Sequence, residues 1–589
     1  MCGLAGIMSL DGDPPLLSFL QAMEGALSHR GPDGSGHYRS GDVGMVHTRL
    51  AIIDLKTGDQ PLHEAGGAAL IANGEIYNYI ELREQMPDVA FSTTSDCELP
   101  LHLYRRHGLG FTRKLRGMYA IALHDPASRR LILTRDPFGI KPLYYAETKA
   151  GFIFASEPGA IIATGIVEAL LVRQVRNELL QLQFTTGRET VFAGINRVLP
   201  GETIVVMGGR VVERHRSEAL PSGAPRNLDE REALAELDHI LEESVFIHQR
   251  SDVPYGMFLS GGIDSASVLA MMSRLNDTPV KTFTAGFSNA AIHDERKQAE
   301  AIARSLGADH VEVEFREVDF WCLLPEIVAK LDDPTADYAV LPTYKLARVA
   351  KEAGLKVILS GEGGDELFAG YGRYRSLMRP WWAGGRLARG RGNFDGLGIL
   401  RGELAGWRDG IGAAELRTAT AGRTRLQGAQ ATDCAEWLPN DLLIKLDRCL
   451  MAHGIEGRTP FLDLRVAELA FLFPDQLKIR KGLGKYILRR WLEGRVPAAE
   501  AFARKRGFAV PIDEWIAKRG VQLAPLIAQQ PGIREICLPE AVEKLFAGLK
   551  GKRQGFAAWT LLFYALWHRQ HIMRLKPGPD VFSTLSANN

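Results

Sequence analysis

Two different spacings of apolar residues divide this chain, and they restrict its fold more than any other feature of the sequence. Before about residue 210, short strand-like runs are separated by Gly, Pro and Asp turns. The clearest of these runs are 44–53, 69–72, 118–123, 131–134 and 152–155. Many short runs of this kind favour stacked antiparallel sheets over a parallel sheet. We therefore expect an α+β sandwich of antiparallel sheets over residues 2–212.

After a polar stretch at 213–230, which we interpret as a linker, strands alternate with helices. The strand-like runs are 257–259, 280–287, 310–315 and 356–359, and the helix-like runs are 266–275, 295–306 and 344–353. This alternation predicts an α/β, doubly wound parallel sheet. We expect a second domain over residues 231–575, with a helical C-terminal part. The Gly- and Arg-rich stretch 381–408 is predicted to be a mobile loop, and residues 576–589 a disordered tail.

The composition excludes several classes of protein. The chain has 589 residues, and 71 Lys and Arg against 70 Asp and Glu leave a formal net charge of +1. This balance provides no global basic field for nucleic acid. The six cysteines form no Cys-x-x-Cys pair, and no apolar run approaches the roughly 18 residues that span a bilayer. We expect a cytoplasmic enzyme that binds small molecules rather than nucleic acid or membrane, and a homodimer remains open.

The second residue, Cys2, is a candidate nucleophile. A small residue at position 2 favours removal of Met1, which leaves Cys2 with both a thiol and a free α-amino group. An α-amine has a pKa of about 8, so it can act as a general base toward its own side chain. The alternative is a buried or incidental thiol.

Polar clusters set against apolar strands accompany Cys2. They lie at 28–34, 47–52, 73–78 and 94–98, and a further block lies at 135–144. From Cys2 to about residue 200, these motifs resemble the class II glutamine amidotransferase domain, which is an N-terminal-nucleophile (Ntn) hydrolase. The resemblance implies a sandwich of antiparallel sheets flanked by helices.

The resemblance also implies a role for five residues in glutamine hydrolysis, which passes through a thioester and two tetrahedral oxyanions. Oxyanions of this kind need fixed hydrogen-bond donors, and the implied donors are the Asn73 amide and the Gly74 N–H. Arg49 would bind the glutamine carboxylate, because a guanidinium fork suits a planar anion. Glu75 and Asp96 would hold the glutamine ammonium.

A glycine-rich loop at 259–265 follows a predicted strand. Glycines let backbone N–H groups approach phosphate oxygens, and the N-terminus of the next helix adds a favourable dipole. No Walker pattern is present, and the loop resembles the pyrophosphate loop of the N-type ATP pyrophosphatases, which cleave ATP between the α and β phosphates. The alternative is an ordinary glycine turn. The resemblance implies nucleotide contacts from Leu259, Ser260, Gly261, Gly262, Asp264 and Ser265.

A second glycine cluster at 359–371 again follows a predicted strand. Two loops at strand ends can face one crevice, where open α/β sheets bind ligands. Ser360 and Gly361 would then join the nucleotide site. Asp264 and Asp365 would supply hard oxygen ligands for Mg²⁺ on the phosphates of ATP.

With both halves present, the chain resembles the glutamine-hydrolysing asparagine synthetase family over nearly its whole length. Blocks at 447–452, 456–463 and 484–489 support the resemblance. It implies that ATP activates a carboxylate as an acyl-adenylate, which ammonia from the glutaminase site then attacks through an internal tunnel. Lys485 would stabilise charge at the adenylated centre, and Glu362 would assist proton transfer from ammonia. With aspartate as acceptor, the products are L-asparagine, glutamate, AMP and diphosphate.

The acceptor is the least determined part of this prediction. Cys449 and His453 depart from the family pattern in a segment near the acceptor site, and paralogues of this fold amidate sugar acids, peptides or secondary metabolites. A catalytically silent scaffold is a third alternative. The intact Cys2, the Asn73-Gly74 pair and the loop 260–265 argue against it.

Overall fold

The first twelve strands of the protein form a two-layer sandwich. The computed structural model describes residues 2–10, 12–287, 295–379, 389–503 and 510–587. The strands are β1 Gly3–Ser9, β2 Gly34–Ser40, β3 Val43–Arg49, β4 Leu62–His63, β5 Ala69–Ile76, β6 Gly117–Asp125, β7 Arg130–Arg135, β8 Tyr144–Glu147, β9 Gly151–Ala155, β10 Asn196–Arg197, β11 Glu202–Met207 and β12 Arg210–Arg216. Their orders are β10-β8-β9-β1-β3-β2 and β12-β11-β7-β6-β5-β4. All neighbouring strands run antiparallel, as predicted.

The core of this sandwich lies between its two sheets. Leu4 and Met45 of the first sheet pack with Ile71 and Leu133 of the second. Helices cover the outer faces, and their bounds are α1 Leu17–Leu27, α2 Tyr79–Glu84, α3 Leu99–His107, α4 Pro158–Ala163 and α5 Arg173–Leu182. We call this unit the N-terminal sandwich.

A parallel five-stranded sheet follows. Its strands are β13 Tyr255–Phe258, β14 Lys281–Gly286, β15 Asp309–Glu314, β16 Val357–Leu359 and β17 Glu456–Arg458. Their order is β15-β14-β13-β16-β17, with every pair parallel. The chain leaves β13 toward one edge and returns to β16 on its other side, so the loops after β13 and β16 meet at a topological switch point. Ligands bind at such points in open α/β sheets.

Helices pack on both faces of this sheet, which makes it doubly wound, as predicted. The first five are α6 Glu230–His248, α7 Ile263–Leu275, α8 Arg296–Ser305, α9 Glu317–Lys330 and α10 Val340–Glu352. One face of the sheet, which includes Met257, packs against α6, α7 and α8, and the other, which includes Phe283, packs against α9 and α10.

The C-terminal part is mostly helical, as predicted. Its helices are α11 Gly364–Leu367, α12 Gly372–Leu377, α13 Asp409–Thr418, α14 Arg425–Thr432, α15 Leu443–Met451, α16 Leu464–Leu472, α17 Asp475–Lys478, α18 Tyr486–Glu493, α19 Ile512–Lys518, α20 Gly520–Ala528, α21 Pro531–Ile536, α22 Pro539–Ala547, α23 Gly551–Trp567 and α24 Val581–Ser586. A π-helical segment, Asp433–Leu442, connects α14 to α15. Within the described ranges, no helix combines the length and apolar character that a membrane span requires.

Two strand boundaries differ from the sequence-based prediction. The run 44–53 is a strand only as far as Arg49; Leu50 and Ile52 instead pack into the core of the C-terminal part, which explains their apolar character. The segment predicted as a linker, 213–230, begins inside β12, because an edge strand with mostly exposed side chains is polar in composition. Residues 217–229 contain no helix or strand in the structure.

Two other predictions also need correction. Of the predicted mobile loop 381–408, positions 381–388 lie outside the described residues; Phe394, Ile399 and Leu404 are buried in the main core. The predicted disordered tail 576–589 contains α24, which Asp580 caps. Its Val581 and Leu585 side chains are buried in the same core, and these two apolar contacts explain why a mostly polar segment is helical.

Candidate active sites

Cys2 lies immediately before β1, the strand that pairs with both β3 and β9 in its sheet. Its backbone nitrogen donates to Asn73 Oδ1 at 3.0 Å, and its carbonyl oxygen accepts from Arg30 Nε at 3.2 Å. Burial raises the pKa of the Cys2 thiol. The thiol is therefore protonated at neutral pH and requires a base before it can attack a carbonyl.

The nearby His47 is poorly suited to be that base. Its Nε2 lies 3.1 Å from the Ala72 carbonyl oxygen, and burial lowers the pKa of His47 to about 3. A group with so low a pKa holds a proton only weakly at neutral pH. Its environment therefore favours the α-amino group of Cys2 as the base.

Asn73 and Gly74 stand beside Cys2 on β5. Asn73 is fully buried, its Oδ1 accepts from the Cys2 nitrogen, and its Nδ2 has no hydrogen-bond partner in the described part of the chain. A buried donor without a partner costs free energy, so a ligand oxygen would stabilise it. A Cβ at Gly74 would lie 2.1 Å from the Met118 carbonyl oxygen, so only glycine is compatible with the close approach of β6.

Three more residues with predicted roles lie in the same part of the N-terminal sandwich. Arg49 ends β3, and its Nη1 donates to Asp59 Oδ1 at 2.6 Å, so its guanidinium already holds a carboxylate. Asp96 Oδ2 accepts from the Ile76 nitrogen at 2.7 Å. Glu75 Oε2 has no hydrogen-bond partner among the described residues.

The Glu75 and Asp96 carboxyls are both buried and lie close enough to affect each other. Burial raises the pKa of Glu75, and the Asp96 charge raises it further. Burial likewise raises the pKa of Asp96. A bound ammonium group would relieve this cost, because an opposite charge favours ionised carboxylates.

The first glycine-rich loop connects β13 to α7. Ser265 Oγ lies 3.0 Å from Ser260 Oγ and donates to the Ser260 carbonyl oxygen at 3.1 Å. The Gly262 nitrogen donates to Ser260 Oγ at 3.1 Å. These bonds fix the loop at the N-terminus of α7, where backbone N–H groups favour an anion.

The second glycine-rich loop follows β16 and touches the first. A Cβ at Gly361 would lie 2.9 Å from the Ser265 nitrogen and from the Asp264 Cβ. Ser360 is buried, and its Oγ has no hydrogen-bond partner in the described ranges. The two loops, which are more than 90 residues apart in sequence, are therefore in contact at the switch point of the sheet.

Lys485 joins the carboxylates of both loops. It immediately precedes α18, its Nζ lies 2.7 Å from Asp365 Oδ1, and it also pairs with Asp264. Burial alone would lower the pKa of Lys485, but these two carboxylates outweigh burial and hold it above its usual value. The Lys485 ammonium group therefore lies between the Asp264 and Asp365 carboxylates.

The same two carboxylates are the predicted ligands of Mg²⁺. No group of three or more His, Cys, Asp or Glu side chains with metal-site geometry occurs among the residues that the structure describes. Mg²⁺ commonly binds one or two carboxylates together with substrate phosphates, so a dedicated protein cage is not required. The convergence of Asp264 and Asp365 on one ammonium group is compatible with such a site.

Comparison with known proteins assigns both parts of the chain to one family. Residues 1–216 match the model of the glutamine amidotransferase domain, and residues 236–569 match that of asparagine synthase. The chain is 31% identical to asparagine synthetase (glutamine-hydrolyzing) 1 of Bacillus subtilis (strain 168), over 97% of each chain. The chain belongs to the glutamine-hydrolysing asparagine synthetase family.

The chain is also similar to proteins with other names. A putative asparagine synthetase (glutamine-hydrolyzing) of Mycobacterium bovis is 33% identical over 96% of this chain and 97% of its own length. A Gibberella zeae protein named amidase chry2 is 32% identical over 64% of this chain and 61% of its own length. The predicted family and the predicted class of enzyme, asparagine synthase (glutamine-hydrolysing), are confirmed.

In this synthetase, Glu362 lies beside a buried lysine that the sequence analysis did not identify. Glu362 Oε1 is 3.8 Å from Lys445 Nζ, and Lys445 Nζ donates to Asp337 Oδ2 at 2.9 Å. Burial raises the pKa of Glu362, whereas the Lys445 charge lowers it. The available signal was a lysine inside the otherwise apolar run 442–446.

Cys449 and His453, which departed from the family pattern, lie in helix packing. Cys449 Sγ lies 3.5 Å from the Val340 carbonyl oxygen of α10. The His453 ring meets the Tyr344 ring of α10 edge-on, with centroids 4.4 Å apart. Neither Cys449 nor His453 therefore indicates which acceptor this synthetase uses.

Contacts across the N-terminal sandwich and the C-terminal part were also missed. Arg458 of β17 pairs with Glu75 at 3.1 Å. Arg30 pairs with Asp447 of α15 at 2.8 Å. Both arginines lie in blocks that carry the family resemblance, but no sequence pattern indicates their partners.

Proposed function

We propose that this synthetase makes L-asparagine from aspartate, glutamine and ATP, through β-aspartyl-AMP, and releases glutamate, AMP and diphosphate. The observation that carries the glutaminase part of the proposal is the Asn73 amide, whose oxygen accepts from the Cys2 nitrogen while its buried Nδ2 lacks a partner among the described residues. Aspartate as the acceptor is supported by the relatives named asparagine synthetase. The same chain holds the crevice between the two glycine-rich loops, in which a carboxylate can be adenylated. The proposed domains are 2–212 and 231–575.

In the glutaminase site, the α-amine of the mature Cys2 takes the thiol proton, and the thiolate attacks the glutamine side-chain amide. Asn73 Nδ2 and the Gly74 N–H donate to the oxyanion that forms. Arg49 binds the substrate carboxylate after Asp59 moves aside, which its largely exposed side chain allows. Glu75 and Asp96 bind the substrate ammonium. The protonated α-amine then returns the thiol proton to the amide nitrogen, which leaves as ammonia as the C–N bond breaks and the thioester forms. Water then hydrolyses the thioester, which releases glutamate and regenerates the Cys2 thiol.

In the synthetase crevice, Leu259, Ser260, Gly261, Gly262, Ser265, Ser360 and Gly361 bind the nucleotide. Lys485 donates to oxygens around the α phosphorus, where negative charge develops. Asp264 and Asp365 would hold Mg²⁺, which would supply charge neutralisation for the diphosphate leaving group. Glu362 accepts a proton from the attacking ammonia, and the Lys445 charge opposes the rise that burial causes in the pKa of this carboxyl.

A different carboxylate acceptor is the second candidate. The amidase-named relative supports it, because its chain shares this fold family without carrying the synthetase name. The chemistry of both sites would be the same, and only the residues that contact the acceptor would differ. For either acceptor we propose a cytoplasmic location, where ATP and glutamine are available.

Exchange of labelled pyrophosphate into ATP tests the acceptor directly. The assay uses the full chain with Mg²⁺ and a panel of carboxylates, with aspartate first. Exchange that depends on aspartate, followed by asparagine formation with ammonia, supports the proposal. Exchange with another carboxylate and none with aspartate would establish the second candidate, and no exchange with any member would contradict adenylation of the panel.

Cys2→Ala separates the two sites in the same preparation. The variant should lose glutamine-dependent synthesis and keep ammonia-dependent synthesis, because the thiol is needed only to release nitrogen. Loss of both activities in a folded variant would contradict the assignment of separate sites.

A further inference from the structure

One buried arginine contacts both active sites of the chain. Arg458 lies on β17 and is fully buried. Its Nη2 pairs with Glu75 Oε1 at 3.1 Å, and its Nε donates to Glu456 Oε1 at 2.5 Å. Its Nη1 donates to the carbonyl oxygens of His248 and Arg250, at 2.9 and 2.6 Å. The side chain therefore joins the proposed ammonium-binding carboxylate to the C-terminal part.

The backbone of the same residue supports the nucleotide crevice. Arg458 pairs with Leu359 in the parallel ladder between β17 and β16. Its carbonyl oxygen accepts from the Ser360 nitrogen at 2.9 Å. Ser360 begins the second glycine-rich loop, and Glu362 follows two residues later. A shift of the three-residue strand β17 would therefore move the loop that contains Glu362.

We propose that Arg458 is a positioning residue that couples glutamine binding at Glu75 to the arrangement of the 360–362 loop. The inference rests on the proposed function, because it takes Glu75 as the site of the glutamine ammonium. An ammonium group on Glu75 Oε2 would share the carboxylate with Arg458 and weaken its hold on Oε1. The Arg458 guanidinium then shifts. Strand β17, which carries Arg458, shifts with it, and so does the Ser360 N–H that donates to the Arg458 carbonyl oxygen.

Coupling of this kind has a defined thermodynamic signature. If ligands in the nucleotide crevice change the affinity for glutamine by some factor, glutamine changes their affinity by the same factor. Typical coupling corresponds to a factor of roughly 5–150. This reciprocity applies to binding affinities. For the kinetic readout, we expect ATP with the acceptor to raise the kcat/KM for glutamine hydrolysis in the wild type by at least about 5-fold, the lower end of that range.

Arg458→Lys tests the proposal with its charge retained. A lysine ammonium is a point donor and cannot reproduce the planar fork that spans Glu75, Glu456 and two carbonyl oxygens. The measured quantity is the ratio of glutaminase kcat/KM with and without ATP and acceptor. We expect this ratio to fall close to one in the variant.

Arg116→Lys is the matched control. Arg116 also pairs across the two parts of the chain, through Nε to Asp463 Oδ2 at 2.6 Å and Nη1 to Glu243 Oε1 at 2.5 Å, but it contacts neither proposed site. The wild-type ratio should persist in this variant. An equal fall of this ratio in both variants would show that the contact between the N-terminal sandwich and the C-terminal part had loosened in general, and it would overturn the proposal. A wild-type ratio in Arg458→Lys would also overturn it.

A measurement without substitution at Arg458 keeps the proposal testable if that variant does not fold. We expect Cys2→Ala to bind glutamine without hydrolysing it, because the thiol is needed only for hydrolysis. We expect saturating glutamine to change amide exchange of peptides that cover β16 and residues 360–364, and to leave peptides of α16 unchanged. No change at 360–364 would overturn the coupling. Failure of the proposed function is distinguishable, because the wild type would then show no glutaminase activity or no acceptor-dependent exchange.

Discussion

Arg30 and Asp447 form a bidentate ion pair between the N-terminal sandwich and α15. Arg30 Nη1 and Nη2 donate to the two Asp447 carboxylate oxygens at 2.8 and 3.0 Å, and both side chains are buried. Nη1 also donates to Glu157 at 2.8 Å, and Nε donates to the Cys2 carbonyl oxygen. The proposed nucleophile is therefore anchored directly to a helix of the C-terminal part.

Asp447→Asn should destabilise the protein and lower its glutaminase activity. The change removes one of the two carboxylates that pair with the buried Arg30. Breaking a buried pair costs about 3–5 kcal/mol when the remaining charge is not compensated; because Glu157 still pairs with Arg30, we expect a cost at the lower end, about 3 kcal/mol. The midpoint of urea unfolding measures the effect. Glu236→Gln is the control, because the Glu236 pair with Arg226 has the same bidentate form but is solvent-exposed. Its cost should stay below about 1 kcal/mol; equal costs for both variants would contradict this account.

Asn73→Ala should reduce kcat for glutamine hydrolysis by about 10²–10³-fold, the usual effect of losing one oxyanion donor. The side chain also orients the Cys2 nitrogen, so the loss should not be smaller. Ammonia-dependent synthesis should persist, because Asn73 lies in the glutaminase site. Asn78→Ala is the control: its Nδ2 donates to the Lys114 carbonyl oxygen, and it should retain hydrolysis. Wild-type hydrolysis in Asn73→Ala would exclude the side chain from the oxyanion site.

An uncleavable extension before Cys2 should abolish glutamine-dependent synthesis while ammonia-dependent synthesis continues. The reason is that the Cys2 nitrogen would then be an amide, which cannot accept the thiol proton. Mass spectrometry of the unmodified protein should show a chain that starts at Cys2. Full glutaminase activity in a preparation that retains Met1 would contradict the α-amine as the base.

Asp264→Asn and Asp365→Asn should each reduce synthesis from glutamine and from ammonia by at least about 100-fold, or ~2.7 kcal/mol. Each change weakens the metal site and also removes one partner of Lys485. Basal glutamine hydrolysis should persist. Asp309→Asn on the edge strand β15 is a control, because its half-exposed carboxylate pairs only loosely with Lys281 at 3.7 Å. If Asp264→Asn or Asp365→Asn synthesised at a near wild-type rate at limiting Mg²⁺, the substituted aspartate would not be a ligand of the metal.

The sequence predicted those parts of the site that depend on short-range order. A glycine-rich loop after a strand places Ser260 and Ser360 at a switch point, because parallel strands end at one edge of a sheet. It could not predict the contact between Arg30 and Asp447, which are 417 positions apart. That contact depends on how two finished units pack, and no local pattern records it. Likewise, the helix α24 depends on contacts of Val581 and Leu585 that composition does not reveal.

Lys478 provides a pH-dependent test of the packing behind the second loop. It is fully buried, and its Nζ donates to Gln430 Oε1 at 3.0 Å and to the Phe471 carbonyl oxygen at 2.7 Å. Gln430 in turn donates to the Glu366 and Leu367 carbonyl oxygens of α11. Burial lowers the pKa of Lys478 from its usual 10.5 to about 7.

Between pH 7 and 10.5, the unfolded chain therefore holds a proton on Lys478 that the folded protein releases, so the contribution of Lys478 to stability rises with pH. We expect the free energy of unfolding of the wild type, relative to Lys478→Met, to increase by about 1.5 kcal/mol from pH 7 to about pH 8.5. Urea unfolding of both proteins at the two pH values measures this difference, in which the other titrating groups cancel. Lys552→Met, at an exposed position at the start of α23, should show the same difference from wild type at both pH values. A pH-independent difference for Lys478→Met would mean that the buried ammonium keeps its proton throughout this range.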